Sequence, residues 1–177
     1  MEELIIRSKN GDEEAFTELI LSMKNDLYKI SKTRLNDDND ISDAIQETMI
    51  NAYKHLKKLK DNTNFKSWII KILINECNKI YKRKSKKQKL FEKITIEENL
   101  SKLDNSINSI NSKMDFELLI NKLNYEEKLI VTLYYNNKYS CNEIANILNM
   151  NINTVKSKLS RAKDKVKKSY KGGVFYE

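Results

Sequence analysis

The sequence predicts an all-α protein, two small helical domains joined by a flexible linker. Three observations predict it. The 177-residue chain has no proline and only Gly11, Gly172 and Gly173. Neither strong helix breaker therefore occurs across its middle, and the glycine that hairpin turns usually need is missing there. Apolar residues recur at helical spacing in several separate runs. Between two sets of runs the pattern weakens, and Asn99 to Lys113 is mostly Asn and Ser.

The elements follow in order. Phe16, Leu19, Ile20, Met23, Leu27 and Ile30 mark a first helix, with Asp12 as its N-cap after Gly11. After a polar turn, Asn36 to Asp40, a second stripe runs through Ile41, Ala44, Ile45, Met49, Ala52, Tyr53 and Leu56. Lys60 to Asn64 interrupts it. Phe65, Trp68, Ile69, Ile72, Leu73, Cys77 and Ile80 form a third stripe, and short connections make these helices an antiparallel bundle. Beyond the linker, Phe116, Leu119, Ile120 and Leu123 mark another helix. Asn124 caps the segment holding Leu129, Ile130, Leu133 and Tyr134; Ser140 caps the next, with Glu143 at the capping-box position. The domains expected are residues 1–89 and 114–177, with 90–113 as linker.

Charge is unevenly spread. Lys and Arg number 33 against 25 acids, for a net charge of +8. Lys79 to Lys89 holds seven basic residues in eleven and no acid. So dense a run repels itself unless an anionic partner meets it, although cations at a helix end also suit the dipole.

Residues 140–168 read as helix, short turn, helix. Ile144, Ala145 and Leu148 can meet Ile152, Val155 and Leu159 across the turn Asn149-Met150-Asn151, with Ala145 small enough for a close crossing. The opposite side of the last helix shows Asn153, Thr154, Lys156, Ser157, Ser160, Arg161 and Lys163. A helix-turn-helix has this layout, its second helix lying in the DNA major groove. Arg can bond guanine O6 and N7 in two-pronged fashion, while Ser and Thr serve phosphates or base edges.

With these motifs in view the chain resembles bacterial RNA polymerase sigma factors. Residues 143–166 look like their terminal DNA-binding region. Asp40 to Leu56 is similar to the Asp-x-x-Asp-x-x-Gln-Glu-Thr segment of sigma region 2.2. Asn64 to Lys86 resembles regions 2.3 and 2.4, with Phe65, Trp68 and Asn75 at the matching places. Two domains without further regions point to the compact extracytoplasmic-function (ECF) group. The resemblance implies a subunit that docks on core RNA polymerase and confers promoter choice. It implies that Asp40, Asp43, Gln46 and Glu47 meet the coiled coil of the polymerase clamp. Asp37, Asp38, Asp40, Asp43 and Glu47 would form an acidic patch suited to a positively charged protein, although dipole compensation explains some of those acids.

The resemblance further implies that Asn62, Asn64, Trp68, Lys71, Asn75, Asn78, Lys79 and Arg83 meet the minus-10 element. The loop before the third stripe would capture a flipped base, and Trp68 would serve either as core or as a stacking surface. Thr154, Lys156, Ser157, Ser160 and Arg161 match the minus-35 readers. Region 2.4 is unusually Lys-rich, and Lys supplies charge more than geometry. Anti-sigma partners are implied, exploiting the freedom of two tethered domains to close on each other.

Other classes are disfavoured. Cys77 and Cys141 lie far apart, His55 is the only histidine, and no metal-ligand spacing, Gly-rich phosphate loop or nucleophile–base pairing is evident, so neither enzyme nor cofactor is expected. A free-standing regulator would need its own dimer interface or effector pocket, and no extra domain or surplus apolar face provides one. The N-terminus is no signal peptide, and no stretch approaches the roughly 18 apolar residues of a membrane span. A cytoplasmic protein with reduced thiols follows.

Overall fold

The computed structural model describes residues 1–95 and 123–171, with side chains for residues 1–87 and 123–168. Among the described residues there are seven α-helices and no strand. Helix α1 spans Glu2–Lys9, α2 Glu13–Lys32, α3 Asp38–His55, α4 Phe65–Thr95, α5 Tyr125–Val131, α6 Cys141–Leu148 and α7 Ile152–Lys171.

Helix α1 is an element the periodicity did not mark, because one short stretch is too brief to show a repeat. Glu2 and Glu3 at its start and Arg7 and Lys9 at its end complement its dipole. Ile5 is buried, anchoring it on α2. The chain then reverses at Gly11, whose φ of +98° an L side chain would strain against. Asp12 caps α2 by accepting from the Ala15 amide at 2.9 Å, and Arg7 pairs with it at 2.7 Å.

Leu19, Ile20, Met23, Leu27 and Ile30 of α2 are buried, as their spacing predicted. They meet Ile41, Ala44 and Ala52 of α3 and Phe65, Ile69, Ile70, Leu73 and Cys77 of α4. Asp37 caps α3 through the amides of Asn39 and Asp40. The Cys77 thiol is pushed up to about 11 by burial, which suppresses its thiolate. Helix α4 continues to Thr95, past the start expected for the linker. The rest of that linker and the expected helix through Phe116, Leu119 and Ile120 lie outside the described residues.

In the second group, Asn124 and Ser140 each cap their helices in full capping boxes, with Glu127 and Glu143. A π-helical turn, Thr132–Asn136, follows α5. Helix α6 ends on Asn149 in the left-handed conformation (φ 54°), with the Met150 amide bonded to the Ala145 carbonyl at 2.9 Å. Asn151 then accepts from the Asn153 amide at 2.8 Å and starts α7. Ile144, Ala145, Val155 and Leu159 are buried between α6 and α7, but the position expected of Leu148 is taken by Ile147, with Leu148 only half-buried. Helix α6 packs on α4 as well as on α7, and Ile147 and Leu148 both line the cleft toward α4, Ile147 being the more buried.

Glu127 is 5% exposed. Its carboxylate accepts from Lys165 Nζ at 2.7 and 2.8 Å and from the Asn124 amide at 3.1 Å. Burial pushes its carboxyl up, but Lys165 and the Asn124 amide outweigh burial and hold it below the usual 4.5. A lowered folded-state pKa contributes stability that is present above the unfolded value and lost as pH falls through the folded one. The melting temperature is therefore expected to fall as pH drops below about 4.5. Glu127→Gln should flatten that dependence, as read by circular dichroism melts across pH 3 to 7. An unchanged slope in the variant would show that other carboxylates carry it.

Candidate functional site

Three surfaces collect the residues singled out by sequence. The first is the outer face of α3. Asp43, Gln46 and Glu47 are exposed there at one-turn spacing. Asp40 departs from the expected open acidic patch. It is 8% exposed and pairs with Lys84 of α4 at 2.5 Å. Asp37 is likewise committed locally, its carboxyl held low chiefly by the Asp40 amide. Asp38 accepts from the Tyr28 hydroxyl at 3.3 Å. The outward acids that remain, Asp43 and Glu47, make no ion pair among the described residues. Beyond them Ile50 and Tyr53 are each 44% exposed. Periodicity placed Tyr53 in the core stripe; its ring instead meets Phe16 edge-on at 5.0 Å, at the rim.

The second surface is the loop before α4 and the outer face of α4. Asp61 organises the loop, accepting from the Thr63 amide at 2.9 Å, the Thr63 hydroxyl at 2.7 Å and Asn64 Nδ2 at 2.6 Å. The Thr63 hydroxyl and amide hold its carboxyl below the usual range. Asn62 is half-buried and Asn64 exposed. Trp68 is half-buried against the core, its ring 6.0 Å from that of Phe65. Lys71, Asn75, Lys79 and Arg83 are exposed and Asn78 half-buried along one side of α4. A shallow groove of about 470 Å³ runs between α3 and α4, floored by Glu76, which accepts from Asn51 at 3.2 Å and Lys79 at 2.8 Å.

The third surface is α7. Thr154, Lys156, Ser157, Ser160 and Arg161 are all exposed, while Val155, Leu159 and Ala162 behind them are buried. Its first turn contains no acid, so the positive end of the helix is uncompensated. Arg161 Nε bonds only weakly to the Ser157 carbonyl, at 3.4 Å, leaving the guanidinium available to a partner. Among the described residues no cluster of His, Cys, Asp and Glu could hold a metal, and no helix is long and apolar enough to cross a membrane.

Comparison with known proteins bears on these surfaces. The family description Sigma-70 region 2 matches residues 19–87, and Sigma-70, region 4 matches residues 113–166. The chain is 30% identical over 158 residues to the ECF RNA polymerase sigma factor SigM of Bacillus subtilis (strain 168), covering 85% of this chain and 91% of that one. The chain belongs to the ECF sigma factors. SigW of the same organism is 24% identical over 170 residues, covering 90% of this chain and 91% of that protein. Two solved structures share the fold. CnrH in complex with the cytosolic domain of CnrY superposes with a TM-score of 0.69 at 17% identity, covering 98% of both chains. The sigma factor RpoE in complex with the anti-sigma factor NepR, from Bartonella quintana, gives 0.71 at 21% identity, covering 88% of this chain and 96% of that one. The protein therefore directs promoter-specific initiation by RNA polymerase, and the chemistry of RNA synthesis belongs to the polymerase rather than to the sigma factor.

In this sigma factor the second helical group rests on the α4 face of the first. The Arg34 guanidinium carbon lies 3.5 Å from the Tyr81 ring centroid and 4.0 Å from that of Tyr125, a cation between two aromatic faces. Tyr125 lines the same cleft as Asn78, and burial pushes its hydroxyl up to about 12. Tyr139 is buried nearby. Ile147, Leu148 and Met150 face Lys71, Ile74 and Asn75 across a small cleft. The α4 face is thus partly covered in the sigma factor, while the α7 face stays open to solvent. Sequence periodicity cannot show the Arg34 sandwich, since its three members belong to three different elements.

Proposed function

We propose that this sigma factor divides its work among the three surfaces, with residues 1–89 and 114–177 acting as its two functional domains and 90–113 as the tether. Asp43, Gln46 and Glu47 dock on the coiled coil of the polymerase clamp, with Asp40 at the edge of that surface, its carboxylate held by Lys84. Asn62, Asn64, Trp68, Lys71, Asn75, Asn78, Lys79 and Arg83 contact the minus-10 element. Thr154, Lys156, Ser157, Ser160 and Arg161 contact the minus-35 element. Supporting this reading above all is the open polar and cationic face of α7, set opposite its buried stripe. Lys71, Asn75 and Asn78 line the cleft against Tyr125 and Met150 of the second group, so full minus-10 contact requires the two groups to part. The protein works in the cytoplasm, where the polymerase is, and takes an anti-sigma partner, as the solved RpoE does with NepR.

Runoff transcription with core polymerase, with and without the chain, tests the reading: specific transcripts should appear only when the chain is added, and none would refute it. On a promoter it serves, Arg161→Ala is expected to weaken holoenzyme binding by about 1–3 kcal/mol, with relaxed preference at one minus-35 base pair. An equal loss on every promoter sequence would assign Arg161 to phosphate instead.

A further inference from the structure

We infer that Lys9 is a positioning residue for promoter reading, fixing which edge of the Asn62 carboxamide faces the DNA. The inference rests on the proposed minus-10 role of the loop before α4. Lys9 Nζ donates to the Leu59 carbonyl at 2.6 Å and to Asn62 Oδ1 at 2.5 Å, spanning 53 positions in sequence. An ammonium has donors and no acceptor, so only the amide oxygen can face it. The Asn62 NH2 is thereby turned away from Lys9. Asp61 does the converse for Asn64. Its carboxylate only accepts, so it takes Asn64 Nδ2 and turns the Asn64 oxygen outward.

The two carboxamides in one short turn are therefore held in opposite senses, one presenting a donor and the other an acceptor. Neither orientation is intrinsic to Asn, whose amide flips freely when both of its ends can find water. A base edge reads donor against acceptor, so a fixed flip turns a generic polar loop into a selective one. The cation that fixes Asn62 is delivered by α1, the helix that periodicity missed. Ile5 in the core, the Gly11 reversal and the Arg7–Asp12 pair hold α1 in place over the loop. This gives α1 a role beyond packing.

The test uses holoenzyme assembled from core polymerase and the full chain, on promoters carrying each of the four bases at every minus-10 position. Asn62→Ala is expected to flatten the preference at one position by about tenfold. Lys9→Met should flatten the same position by a similar factor, and Lys9→Arg, which keeps a donor-only cation, should restore most of it. Thermal melts and core-polymerase capture accompany each variant. Lys9→Met lowering transcription equally on all four bases would overturn the inference, marking Lys9 as a phosphate contact or a packing residue. So would relaxed preference that Lys9→Arg does not restore. If Asn62→Ala leaves every preference unchanged, the loop reading itself fails and the inference falls with it. That result is distinct from one in which Asn62→Ala relaxes the preference and Lys9→Met does not, where only the inference fails.

Discussion

Asp43→Lys combined with Glu47→Lys is expected to abolish capture of the chain by core RNA polymerase while leaving its thermal melt unchanged. Both carboxylates are exposed on α3 and neither holds an ion pair among the described residues, so no packing is lost on replacing them. Surface substitutions of this kind usually alter stability by less than about 0.5 kcal/mol. At an interface, truncating one partner of a buried, hydrogen-bonded charge pair costs about 2–5 kcal/mol. A reversal does more, because it sets like charges against each other. Two reversals one helical turn apart act on the same patch of the partner. Asp40→Lys would be a poorer probe, since Asp40 is buried and a lysine there would set a second cation beside Lys84 and disturb the α3–α4 contact. Pull-down of core polymerase by tagged chain reads the result. Capture equal to wild type would remove the α3 face as the docking surface.

Phe65→Ala is expected to cost about 3–5 kcal/mol of folding stability, as truncation of a buried Phe generally does. Phe65 is 1% exposed and is the first residue of α4. Its ring packs into the core shared by α2, α3 and α4 and lies beside Trp68. Removing it leaves a cavity directly beneath the loop of Asp61 to Asn64, so promoter reading should suffer even at temperatures where the chain still folds. A small domain has only about 5–15 kcal/mol of stability in all, which makes this a large fraction. Urea denaturation followed by circular dichroism measures it. A loss below about 1 kcal/mol would mean that neighbouring side chains collapse into the space, contrary to the close packing expected of this core.

Much of the fold was legible because it is built from interactions within a turn or two. Asp12, Asn124 and Ser140 were identifiable as caps, since a cap needs only a short polar side chain before an apolar period, and each takes that role. The stripes of α2 and α4 were legible from helical spacing, as was the bipartite face of α7, whose exposed Thr154, Lys156, Ser157, Ser160 and Arg161 lie opposite Val155 and Leu159. Less was legible wherever a second element decides the outcome. Helix α1 is too short for a period to emerge. Asp40 read as one more surface acid until Lys84 of α4 met it. Ile147, outside the expected set, is buried because α6 packs on α4 and on the π-helical turn as well as on α7.

By itself the sequence determined the helical class, the caps and the charged faces, because periodicity, capping and charge density depend on residues a few positions apart. Only the tertiary structure decided that Lys9 holds Asn62, that Arg34 sits between Tyr81 and Tyr125, and that the α4 face is partly covered while α7 stays open. Those contacts join segments far apart in the chain, and they form only when hydrophobic burial has fixed the helices against one another.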